Sequence, residues 1–135
     1  MPIEYEVDAE SQLLLISYLG PVAREEILEH RAALESDARG VLRYNTIVDL
    51  RYGSIAMSAE EIRDLARAAR DRAWPPSRCA LVVPHDRLFG EMRMFEQWTE
   101  TGPRQYRTFR TFRDACAWLG VTRCPKLDED ELRSS

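Results

Sequence analysis

Lysine is almost missing from this sequence: of its 19 basic residues only Lys126 is a lysine. The basic residues are outnumbered by 23 acidic ones, which leaves a net charge of −4. An acidic balance excludes general nucleic-acid affinity, because phosphate binding is driven by excess cations. Long hydrophobic runs are also missing. The longest strongly apolar stretch, Leu13 to Ile16, is far too short to span a bilayer. Met1 to Asp8 carries acids where a secretory leader would be basic and apolar. The three cysteines, Cys79, Cys116 and Cys124, are odd in number and form no C-x-x-C pair. Cys79 and Cys116 fall on apolar positions and read as small hydrophobes, so the expected compartment is a reduced cytoplasm. There is no internal repeat and no low-complexity tract. No serine, cysteine or metal-ligand cluster completes an enzyme, so no catalytic residue, metal site or cofactor is expected.

What remains is ordinary globular composition, 44% hydrophobic and 31% charged, over 135 residues. That is enough chain for one core. One domain is expected over residues 1–121, with a polar, mobile tail over 122–135.

The pattern along the chain sets the class. Ile3, Tyr5 and Val7 alternate with Glu4, Glu6 and Asp8, the period of a half-exposed strand. Gln12 to Leu19 is more continuously apolar, as in a strand covered on both faces, and should pair with the first as a hairpin. Gly20-Pro21 ends it, with proline placed to open a helix that runs to about Ala38. Ile27, Leu28, Arg31 and Leu34 lie on or near one face of that helix, and Gly40 stands where a C-terminal cap belongs. Three strand–helix units follow. Asn45 to Leu50 precedes a helix over Ser58 to Ala73, which buries Ile62, Leu65, Ala66 and Ala69. Cys79 to Val83 precedes a helix over Asp86 to Glu100. Tyr106 to Arg110 precedes a helix over Thr111 to Leu119. Strands separated by helices pair in parallel across crossovers. The expectation is an α/β fold of order β-β-α-β-α-β-α-β-α, with a mixed, mostly parallel five-stranded sheet and flanking helices.

Three stretches carry a family resemblance: IVDL followed by a loop and SAEEI, then ALVVPHDRLFGEMRMF, then FRTFRDACAWLG. The layout over residues 3–121 resembles the SpoIIAA-like group, the STAS-type fold, whose broader relatives include CRAL-TRIO lipid-transfer domains. In anti-sigma-factor antagonists of that group, the loop after the IVDL-type strand carries Asp-Ser-Ser-Gly with a phosphorylated serine. Here the loop reads GSIAMSAEE, so the resemblance points to the uncharacterised branch without that signature.

The candidate sites are few. Asp49 and Arg51 end one parallel strand, while His85 and Asp86 follow the next. The carboxyl ends of neighbouring strands border the usual ligand crevice. An Asp and a His meeting there could bind an anion or do acid–base work; otherwise Asp86 caps its helix and His85 is a loop residue. Ser58-Ala59-Glu60-Glu61 is a capping box, and Ser58 is also the nearest thing to a phosphoacceptor. Arg104, Arg107, Arg110 and Arg113 recur every third residue, but on a strand such a series splits between two faces.

The helix from Asp86 is apolar over more of its circumference than one sheet face requires. Leu88, Phe89, Met92, Met94, Phe95 and Trp98 all contribute, and Gly90 leaves room for close approach. The surplus should be covered by another helix, a second subunit or an apolar ligand. The reading is a cytoplasmic, non-enzymatic protein-interaction or apolar-ligand module, a homodimer or a partner of a small molecule or protein, with no membrane span. The alternatives are an enzyme or anion site at the Asp49 edge, or phospho-regulated partner binding through Ser58.

Overall fold

The structure, a computed structural model, describes residues 2–125. Its elements begin with Ile3–Asp8 (β1), Leu13–Tyr18 (β2), Gly20–Val22 (β3) and Arg24–Ser36 (α1). Asn45–Asp49 (β4), Gly53–Ile55 (β5), Ala59–Asp71 (α2) and Ser77–Val82 (β6) follow. Asp86–Thr99 (α3), Arg104–Phe109 (β7) and Phe112–Leu119 (α4) complete the order. The main sheet runs β1-β2-β4-β6-β7, with β1 antiparallel to β2 and the other three pairings parallel. This is the expected α/β sheet.

Period-two alternation in β2 divides the core. Leu14 and Ile16 face the layer made by α1, α2 and α3, together with Val48, Cys79 and Leu81. Leu13 and Leu15 face the opposite side, where Ile47, Ala80 and Val82 meet Phe112, Ala115, Cys116 and Leu119 of α4. A strand buried on both faces needs apolar residues at every position, which is why LLLI is unbroken. Each fully buried leucine contributes about 1.5–3 kcal/mol.

Several expectations are corrected. Pro21 does not open a helix. It lies in β3, which pairs in parallel with β5 in a separate two-stranded ribbon, and α1 starts behind Ala23. Such an edge ribbon tolerates a residue with no N–H to give. Gly53 allows β5 to close in, since a Cβ there would stand 2.7 Å from the Tyr18 carbonyl oxygen. Gly40 does not cap α1, which has ended at Ser36 with Asp37 as its cap. Gly40 instead adopts φ 65° ahead of a 3-10 turn, Val41–Arg43. The last strand begins at Arg104, two residues before the expected Tyr106.

The reading of Cys116 as a free, small hydrophobe also fails. Cys116 and Cys124 form a disulfide with Cα atoms 5.7 Å apart. Gly120, at φ 74°, turns the chain back so that the Val121 N–H donates to the Cys116 carbonyl at 3.0 Å, which brings Cys124 over α4. The compartment argument from unpaired cysteines goes with it. Cys79 remains a buried free thiol. Most of the expected mobile tail, residues 126–135, lies outside the described residues.

Candidate functional site

At the carboxyl edge of the sheet, each of the four expected residues is engaged within the chain. Asp49 is 5% exposed and accepts from the Arg51 N–H and Nε, both at 3.0 Å, and from Nη2 at 3.2 Å. The Arg51 guanidinium in turn lies 4.4 Å from the centre of the Phe112 ring. His85, not Asp86, is the N-cap of α3: its Nδ1 accepts from the Leu88 N–H at 3.3 Å. Asp86 sits in the first turn of α3 and pairs with Arg110, which also donates to the Pro84 carbonyl at 3.0 Å. These bonds tie the end of β4 to the segment that follows it, and the start of α3 to Arg110 beyond β7.

Ser58 forms the expected capping box. Its Oγ accepts from the Glu61 N–H and its own N–H donates to Glu61 Oε1, both at 3.1 Å. On α3 the surplus apolar residues divide. Leu88 and Met92 are buried, while Phe89 and Phe95 pack against the main core. Trp98 lies under Arg63 of α2, with the guanidinium 5.0 Å from the ring centre. Met94 stands open at 46% exposure. Gly90 has no atom within 4 Å of where a Cβ would lie, so nothing closes on the backbone there.

Sequence reasoning did not place one largely apolar cavity. It lies between the sheet and α1–α3, with a volume of about 100 Å³. Leu65 of α2 and Met92 and Phe95 of α3 form part of its wall, so α3 contributes two of its expected residues. Glu96 clamps α3 to β7 by accepting from the Thr108 N–H at 3.1 Å and hydroxyl at 2.7 Å. That clamp holds Phe95 edge-on to Tyr106, ring centres 5.0 Å apart. Asp49, Arg51, His85 and Asp86 are not among the residues lining this cavity.

Three basic residues share the cavity wall with these apolar groups: His30 and Arg31 from α1, and Arg104 from β7. Burial lowers the His30 imidazole to about 4, with the Arg31 cation acting in the same direction, so the ring is neutral near pH 7. Burial also pushes the Arg31 guanidinium below its ordinary value. The Arg72 and Arg104 cations act with burial, and Tyr106 and Tyr18 act against it. The Cys79 thiol is raised by burial against the pull of Arg104 and Arg31, and stays protonated. Burial likewise raises the Tyr106 and Tyr18 hydroxyls. Arg31 could have been suspected from its place on the apolar stripe of α1. Arg104 stands out only as the first of the periodic arginines, ahead of the expected strand, and nothing in that series marks it as buried.

The sheet order and its flanking helices define a SpoIIAA-like α/β fold. The chain is similar to an uncharacterised protein of the DUF3478 family from Shewanella loihica PV-4, itself of SpoIIAA-like fold. The two share 18% identity and a TM-score of 0.57, over 87% of this chain and 91% of the other. No family model matches the chain, and no curated protein matches it either. Among the described residues no helix is long and apolar enough to cross a membrane. Among the same residues no group of three or more His, Cys, Asp or Glu is placed to hold a metal ion.

Proposed function

We propose that this protein is a non-enzymatic binding module for a small apolar molecule, held between the sheet and α1–α3. The cavity carries the reading. Small-molecule sites are concave and mostly apolar, and this one offers about 100 Å³ between largely apolar walls. Engineered apolar cavities of roughly 150 Å³ take up benzene, so the size suits a single ring or a short branched chain. The bonds that occupy Asp49, His85 and Asp86 favour binding over catalysis at the strand edge. The capping box at Ser58 accounts for that serine without a phosphate.

Titration of isotope-labelled protein with toluene, followed by amide and methyl shifts, tests the proposal. Shifts should concentrate at Ile16, Val48, Leu65 and Met92, which line the cavity. They should vanish in a folded Leu65→Trp variant, whose larger side chain fills the space. Unchanged spectra at millimolar toluene would remove the proposal.

A further inference from the structure

Two walls of this cavity carry arginines that no carboxylate among the described residues pairs. Arg31 is 8% exposed and Arg104 is 5% exposed. Their acceptors are neutral: Arg31 Nη2 donates to the Leu65 carbonyl at 3.2 Å, and Arg104 Nη2 to the Thr46 hydroxyl at 2.5 Å. Among the described residues neither arginine forms an ion pair. Arg31 Nη1 and Arg104 Nε are buried with no hydrogen-bond partner, and so is Nε2 of the adjacent His30. All three nitrogens belong to residues lining the one cavity.

A buried guanidinium without a counter-charge is among the costlier arrangements in a protein interior. Trp74 and Tyr106 present their rings to Arg104 at 5.7 and 6.0 Å, which offsets part of its charge but does not use its N–H groups. The guanidinium fork matches a carboxylate or a phosphate, and of the two only a carboxylate is commonly carried on a small apolar body. We propose that the ligand is a small apolar carboxylate. Its oxygens take N–H groups of Arg31 and Arg104 after a side-chain rotation brings these nitrogens, now closed to solvent, to the cavity, and its ring or branched chain lies against Leu65, Met92 and Phe95. This rests on the cavity reading above and adds the ligand's charge to it. A free phosphate would satisfy the arginines but leave the apolar walls without a partner.

The test compares benzoate, toluene and inorganic phosphate on the intact protein by the same titration. Benzoate should bind at least about tenfold more tightly than toluene. Arg31→Met and Arg104→Met should each weaken benzoate by about tenfold or more and leave toluene within about twofold. Each variant removes an unanswered buried cation, so without ligand it should melt at or above the wild-type temperature. A lower melting temperature with undiminished benzoate binding would assign the arginines to the fold and overturn the proposal. If a variant does not fold, the wild type decides. Toluene binding as tightly as benzoate overturns the carboxylate and leaves the cavity reading standing. Failure of both ligands overturns both readings. Phosphate displacing benzoate at equal concentration overturns the apolar body.

Discussion

His30 faces two influences that oppose its charged form. It is partly buried on α1, and the Arg31 cation adjoins it, so its folded value lies near 4 against an ordinary 6.5. Its ring also meets Tyr5 edge-on, with centres 5.7 Å apart. Between those two values the unfolded chain binds the proton and the folded chain does not, so stability rises with pH across the window. The contribution is fully present above about pH 6.5 and is lost as the pH falls toward 4. Its slope is at most about 1.4 kcal/mol per pH unit, less whatever solvent screening removes. Urea midpoints at pH 7 and pH 5 should therefore separate more for the wild type than for His30→Gln. Equal separations would show that His30 does not couple to folding.

Regular elements were legible where periodicity is strong and local chemistry agrees with it. α2 is the clearest case: Ile62, Leu65, Ala66 and Ala69 form its buried stripe, and SAEE at its start is the observed capping box. Ser58→Ala should cost about 1 kcal/mol, and Ser58→Asp should cost little because aspartate also caps and suits the helix dipole. Chemical denaturation of the two variants against the wild type checks both values; an alanine variant as stable as the wild type would show that the cap contributes nothing. β3 and β5 were not legible, because three-residue strands are too short to show a period. α3 was legible as an element, but the partners of its surplus were not. Periodicity says how much of a helix is apolar and is silent on which neighbour covers it. Phe89 is half-buried against the main core, and Trp98 is half-buried with Arg63 over its ring.

At the scale of the whole molecule the sheet separates two cores of different character. On the α4 side Phe112, Ala115, Cys116 and Leu119 are all at or below 8% exposure, and the Cys116–Cys124 disulfide secures the segment after the helix. On the other side the sheet and three helices line a cavity whose wall includes the buried Arg31 and Arg104. The opening hairpin, the parallel strand–helix units and the two-faced burial of β2 followed from apolar run lengths and spacing. The cavity did not, because a void is the residue of many packing distances and no single side chain encodes it. The disulfide was hidden for a related reason: Cys116 sits on an apolar stripe, and only the turn at Gly120 shows that Cys124 returns to it. The division predicts that the two sides respond separately. The bridge closes a loop with a sequence separation of 8, so Cys124→Ala should lower stability by about 2–3 kcal/mol through the entropy regained by the unfolded chain. The same variant should leave toluene and benzoate affinities unchanged, because β2, β4 and β6 stand between the bridge and the cavity. Denaturation and titration on one sample measure both effects. A loss of binding in fully folded Cys124→Ala would show that packing under α4 sets the cavity's shape through the sheet.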